Sequence, residues 1–224
     1  MIKEQKLSWH AYEKIKELIK TRRYLPGDPL PENELSEILG MSRTPIREAL
    51  HRLEDEQVVI IKPHLGAFVS TMDLSQICNI YETREAVDGM IARLLCKPHI
   101  ATGVFSALRE RLLEIGNIPD EAERAAMLHE FARDYGTVLR SNCSNPMLAN
   151  LSASILVRTD SMGLVTQTIP LFPDASMPER LDVLDAIIVK DAEKAEEAAR
   201  RHVRNSFSRI MMNMVKYPGA DNID

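Results

Sequence analysis

The stretch Leu35 to Leu53, LSEILGMSRTPIREALHRL, constrains this chain more than any other. Leu35, Ile38 and Leu39 give the helix Glu32–Leu39 an inner face, Gly40 supplies a tight turn, and a second helix opens at Ser42. On that second helix Ile46, Ala49, Leu50 and Leu53 recur at helical spacing and bury one face. Thr44, Arg47, Glu48 and His51 fall on the other. Arg43 stands at the helix start, one turn before Arg47, so both can reach into one major groove, and arginine is the best bidentate reader of guanine O6 and N7. Ser42 is expected to cap the helix, and Pro45 is tolerated in the first turn, where its missing N–H would be unpaired anyway. Taken alone, such arginines also suit a solvated face of an ordinary packed helix.

The surroundings favour the DNA-reading role. Trp9–Arg22 reads as an amphipathic helix with Tyr12, Ile15, Leu18 and Ile19 inward. Val58–Ile61 and Ala67–Ser70 are short β-rich runs joined by Lys62-Pro63-His64-Leu65-Gly66. Three helices and a hairpin make a winged helix-turn-helix, with Lys62, His64 and Gly66 at a tip suited to phosphate or the minor groove.

The segment YLPGDPLPENELSEILGMSRTPIREALHRLEDEQVV and the following PHLGAFV resemble the DNA-binding domain of GntR-family transcription regulators over residues 8–70. The resemblance implies DNA contacts at Arg43, Thr44 and Arg47 and at His64 and Gly66 on the wing. Asn33 stands where the family often has a basic residue and can still hydrogen-bond a backbone oxygen. Ser42 and His51 complete the expected DNA-facing set.

At 224 residues the chain accommodates a reader of about 70 residues and a second domain, with expected bounds 1–72 and 73–224. The net charge of −5 is unevenly placed. Residues 1–70 hold 11 Lys/Arg and 11 Asp/Glu, and the remainder 17 against 22. DNA affinity therefore has to come from geometry and from pairing two copies rather than from a broad positive field. Cys78, Cys96 and Cys143 have no metal-like spacing and read as reduced thiols. The start MIKEQKLSWH lacks an apolar signal region, and no run approaches the ~18 apolar residues of a membrane span. A cytoplasmic location without a membrane partner is expected.

Beyond Asp73, which can cap a new helix, the pattern is helical: 74–96, 100–115, 120–141, 146–167, 178–189 and 191–216. The breaks are Lys97-Pro98-His99, Gly116-Asn117, Asn145-Pro146, and Pro170 with Pro173. The predicted fold is therefore mainly α: a winged helix-turn-helix followed by an antiparallel bundle of six or seven helices, whose interior can hold a ligand.

The inward stripes of that bundle carry residues foreign to a core. Arg84 shares a face with Ile77, Tyr81, Val87 and Ile91. Ala132 and Gly136 are expected to point inward and leave space. Arg180 precedes Val183, Leu184 and Ile187, and His202 and Asn205 follow Ala195, Ala198 and Ala199. Buried charge is costly unless paired, which points to an anionic ligand. Each residue also has a plainer reading: Arg84 paired with Asp88, Arg180 in solvent, His202 satisfied in the core.

YETREAVDGMIARLL, NPML and ERLDVLDAIIVKDAEKAEEAARRHV resemble the FCD ligand-binding domain of the FadR branch of these regulators, over residues 74–210. Many members of that branch hold a divalent metal with one Asp and three His. The matching positions here are Ala132, Gly136, Arg180 and His202, so a single ligand survives, and no metal and no cofactor are expected. Arg180 then supplies the positive charge that a metal supplies elsewhere. Arg84 matches the family's first-helix arginine, and Arg158 a further basic position.

The expectation is a homodimeric transcription regulator, acting as a repressor, that reads an inverted repeat and responds to a small anion such as a carboxylate. One alternative is a regulator responsive to acyl-CoA, its tunnel lined by Met147, Met162, Met177 and residues 210–214. Another is a constitutive DNA binder with a vestigial pocket. The chain shows no nucleophile–base pair, phosphate loop or complete metal set, so an enzyme is not expected.

Overall fold

A computed structural model describes residues 2–71, 73–166 and 173–216, with side chains over 6–71, 73–159 and 175–212. The described chain falls into two compact units. The first contains residues 2–77 without Met72, together with α7 (Pro146–Thr166) from Val157 onward; the second contains residues 78–156 and 173–215.

In the first unit α1 (Ile2–Lys20), α2 (Glu32–Leu39) and α3 (Arg43–Asp55) precede the hairpin β1 (Val59–Lys62) and β2 (Gly66–Val69). The helix α1 packs on α3 through Ile15 and Ile19, which are fully buried with Ile46, Ala49 and Leu53. It begins seven residues before the apolar stripe predicts, because the polar run Lys3-Glu4-Gln5-Lys6 has good helix propensity but no inward face to reveal it. It also ends two residues early. Thr21 bonds its hydroxyl to the Glu17 carbonyl, and Arg22 turns the chain with φ +63°.

The antiparallel hairpin pairs Val59 with Val69 and Lys62 with Gly66, one residue closer to the tip than the β-rich runs suggest. Leu30 N–H donates to the Ala67 carbonyl at 2.7 Å and Val69 N–H to the Asp28 carbonyl at 2.9 Å, so residues 28–30 line the free edge of β2. This cover closes the β2 edge of a two-stranded ribbon that would be marginal by itself.

The second unit is built from α4 (Leu74–Leu95), α5 (Gly103–Gly116), α6 (Glu121–Ser141), the start of α7, α8 (Pro173–Ile188) and α9 (Ala192–Lys216). The helix α5 packs on both α6 and α8, burying Phe105, Leu112, Phe131, Leu184 and Ile187. Several starts are set by local caps. Asp73 accepts from Gln76 N–H at 2.8 Å while the Gln76 side chain accepts from Asp73 N–H at 3.0 Å, a reciprocal capping box. Asp120, Asn145 and Asp191 accept from the first turns of α6, α7 and α9.

The helix α5 begins three residues later than predicted, after a turn in which Ile100 N–H bonds the Lys97 carbonyl. The helix α8 begins at Pro173 instead of 178, with Pro178 inside it. Packing overrides the proline signal there: Ser176 is buried, and Met177 fits against Gly116, where an added Cβ would collide with its Cε. Met72 of the predicted junction and Pro170 of the predicted break lie outside the described residues. Among the described residues no helix is long and apolar enough to cross a membrane.

Candidate functional site

Gly40 closes α2 with φ +63°, a left-handed conformation that favours glycine, and Met41 N–H returns to the Ser36 carbonyl. That turn sets α3 with Pro45, Ile46, Ala49, Leu50 and Leu53 buried. Arg43, Thr44, Arg47, Glu48 and His51 are all exposed on the other side, and so are Asn33 and Ser42. Ser42 occupies the cap position with extended backbone, yet its side chain makes no capping hydrogen bond, contrary to the prediction. Its φ/ψ of −68°/164° fixes the entry of the chain, but its hydroxyl is not spent on the helix.

Arg47 is tied to α2. Its Nε donates to Glu32 Oε1 at 2.8 Å and its Nη2 to Glu32 Oε2 at 2.7 Å, a bidentate pair. The guanidinium beside it holds the Glu32 carboxyl below the usual carboxylate range. His51 Nδ1 lies 3.3 Å from Glu54. Sequence reading missed Glu32, because a partner 15 positions away on another helix leaves no periodic signal. Between α3 and the hairpin runs a cleft of about 320 Å³ lined by Glu32, Arg47, His51, Leu65 and Gly66. At the tip His64 has φ +64° and Gly66 φ +97°, and both are exposed.

In the second unit the structure brings Arg84, Arg180, His202 and Asn205 into one charged cluster. Arg84 Nε approaches Asp88 Oδ2 at 3.4 Å, and its guanidinium lies 5.2 Å from the Tyr81 ring. Asp88 also accepts from Ser152 at 3.4 Å. The Arg180 guanidinium lies 5.7 Å from the Tyr135 ring, and its Nη1 bonds Ser176. Its buried Nε has no hydrogen-bond partner among the described residues. Burial pushes the Arg180 guanidinium down, and the charge of Arg84 adds to that.

Glu179 anchors the other half. It accepts from Arg209 Nη1 and Nη2 at 2.8 and 2.9 Å, from Asn205 Nδ2 at 2.8 Å and from His202 Nδ1 at 2.8 Å. Burial alone would raise the Glu179 carboxyl; the bonds from Arg209, His202 and Asn205 outweigh it and hold the group well below the usual range. Burial pushes the His202 imidazole down, against its bond to Glu179 and with the charges of Arg180 and Arg84. A neutral His202 must carry its proton on Nδ1, because a carboxylate can only accept. In this cluster the cations Arg84, Arg180 and Arg209 outnumber the anions Asp88 and Glu179.

Arg209 and Glu179 were missed at the sequence level, although Arg209 continues the His202–Asn205 stripe by one turn. Arg158 is exposed in the part of α7 that groups with the first unit. The space expected beside Gly136 is taken by Arg140, whose Nη1 lies 2.9 Å from where a Cβ would stand, and Ala132 is half-buried.

These residues do not fit a divalent ion. Ala132 and Gly136 offer no donor, Arg180 brings a repelling charge, and His202 has one nitrogen committed to Glu179. Among the described residues no three His, Cys, Asp or Glu side chains converge on a point. Of the methionines, Met147 is 82 % exposed and Met177 packs on Gly116, while the side chains of Met162 and Met214 lie outside those described.

Residues 7–69 match the family described as bacterial regulatory proteins, gntR family, and residues 79–205 match the FCD domain. The chain is 30% identical over 201 residues to an uncharacterized HTH-type transcriptional regulator in an unstable DNA locus of Streptomyces ambofaciens, covering 89% of this chain and 83% of the relative. It is 28% identical over 215 residues to the galactonate operon transcriptional repressor of Escherichia coli K12, covering 84% and 90%. Among solved structures, McbR/YncC of E. coli superposes with a TM-score of 0.64 at 21% identity over 92% of this chain and 97% of that one, a likeness of fold.

Proposed function

Because the chain belongs to the GntR family of bacterial regulatory proteins and carries an FCD domain, we propose that it is a homodimeric repressor whose operator affinity is set by a small carboxylate. At the coarser level it is a DNA-binding transcriptional regulator and not an enzyme. The reader is assigned to residues 1–72 and the effector and dimerisation domain to 73–224, in a cytoplasmic protein.

On the DNA side Arg43, Thr44 and Arg47 enter the major groove, with Asn33, Ser42 and His51 beside them and His64 and Gly66 of the wing on the flanking backbone or minor groove. Their shared exposure on one unit supports this set. Two copies related by a two-fold axis would read an inverted repeat. A relative named as an operon repressor supports repression as the sign.

The observation that carries the effector reading is the buried Nε of Arg180, which has no hydrogen-bond partner among the described residues, in a cluster where the described cations outnumber the described anions. A carboxylate lying between Arg180 and Arg84, near Tyr135, would accept from that N–H and balance the charge. The charge of Arg180 needs no metal for this. Coupling then follows from the differing affinity of the ligand for DNA-competent and DNA-incompetent dimers, commonly worth about 1–3 kcal/mol.

A thermal-shift screen of the intact protein with mono- and dicarboxylates, sugar acids and acyl-CoAs, with and without Zn²⁺ or a chelator, tests the reading. A carboxylate at 100 times its Kd adds about 2.7 kcal/mol of stability. A shift that survives the chelator is expected. A shift that requires the metal, or a shift with acyl-CoA alone, would sink the metal-free carboxylate site.

A further inference from the structure

An arginine that reads a base has to offer two parallel N–H bonds in a fixed direction, yet its side chain has many rotamers. Arg47 meets that problem with a partner already in place. Glu32 takes the Nε–Nη2 edge of its guanidinium through bonds of 2.8 and 2.7 Å. Guanidinium carries five N–H donors in one plane, so the two hydrogens of Nη1 and the second hydrogen of Nη2 stay unspent. Those hydrogens form the other edge of the fork, whose spacing matches guanine O6 and N7. The Arg47 side chain remains 60% exposed although one edge is engaged. Glu32 is itself 30% exposed at the first turn of α2, so the support comes from a helix other than the reading one.

We infer that Glu32 is a positioning residue for base reading: it grips one edge of Arg47 so that the opposite edge is presented to a guanine of the operator. The inference rests on the reading above, in which α3 enters the major groove. A carboxylate here does two further things. It cannot donate, so it makes no bond to a phosphate and turns Arg47 away from the DNA backbone. It also orders the side chain before DNA arrives, which lowers the entropy cost of the contact. Specificity at one base pair would thereby depend on a residue that never touches the base.

The test uses the full chain and duplexes selected by it from a randomised pool. Each G·C pair of the selected site is replaced by A·T in turn, and binding is followed by fluorescence anisotropy at fixed salt. The wild type is expected to prefer guanine by about tenfold at the Arg47 position and its symmetry mate, and R47A to erase that preference. E32Q, which conserves side-chain volume, and E32A are both expected to reduce it to less than about threefold while preferences at other positions stand. A purely structural role would weaken all positions alike. If both variants keep the preference, including the case in which they bind every duplex more tightly, Glu32 is only a charge that repels DNA and the inference falls. If no site is selected, or R43A and R47A bind every duplex as the wild type does, the reading of α3 itself has failed, whatever Glu32 does.

Discussion

Arg209 and Glu179 form a bidentate pair across α9 and α8, with both guanidinium Nη atoms within 2.9 Å of the carboxylate oxygens. Both side chains are mostly buried, at 21% and 12% exposure. The same carboxylate also receives His202 and Asn205, so one acidic residue satisfies three neighbours. Glu179→Gln leaves Arg209 buried with an incomplete partner. We expect a loss of about 2 kcal/mol in urea denaturation, below the ~3–5 kcal/mol of a fully buried pair because some solvent reaches this one. A change near zero would show that the network relaxes at no cost.

His202 gives this protein an acid sensitivity. Its folded-state pKa lies below the ordinary 6.5, first because it is buried. The unfolded chain therefore takes up a proton before the folded chain does, and stability falls as pH drops below about 6.5. Glu179 acts lower down. Its folded pKa is depressed from the ordinary 4.5, so its contribution is whole above that value and is lost as pH falls further. Stability measured from pH 7.5 to 5 should decline in the wild type and flatten in His202→Gln; an unchanged slope in the variant would assign the decline to other groups.

Arg180 holds a buried N–H without an acceptor among the described residues, a cost borne by the free protein. Arg180→Met keeps most of the volume over Tyr135 and removes that cost together with a surplus charge. The variant should gain roughly 1 kcal/mol in the absence of ligand and lose the carboxylate-induced thermal shift. A destabilised variant that still responds would place the ligand elsewhere.

Gly40 turns the chain between α2 and α3 at φ +63°, with open space where a side chain would stand. The penalty for substitution is therefore backbone strain alone. Gly40→Val should cost about 1–2 kcal/mol and Gly40→Asn less, because asparagine enters the left-handed region more readily. Equal losses in the two variants, measured by thermal unfolding, would mean that packing matters there after all.

Much of the fold was legible because its signals are local. The apolar spacing of Ile46, Ala49, Leu50 and Leu53 placed α3, and Asp73 and the Asn145-Pro146 break marked helix starts that the structure realises as caps. Where long-range packing decides, the reading failed: Pro178 looked like a boundary but lies inside α8, which begins at Pro173. The site divides in the same way. Arg84, Arg180, His202 and Asn205 stood out as polar residues on apolar stripes, and in the structure they lie in one charged cluster. Glu179 and Glu32 had no such mark, because acidic residues near helix starts are commonplace and their partners lie on other helices. Arg140 fills the space at Gly136 from one turn further along the same helix.

The caps at Asp73, Asp120, Asn145 and Asp191 have a bearing on how such a bundle can vary. Each fixes the first turn of its own helix through a bond no more than three residues long in sequence, and the incoming connection takes no part in it. Residues added or removed ahead of a cap leave the helix phase unchanged, so the same side chains still face inward. Lengthening a flexible connection costs little, about 0.6 kcal/mol per doubling. The connections before α4, α6, α7 and α9 are thus the places where segments can be inserted or lost without rewriting the interior.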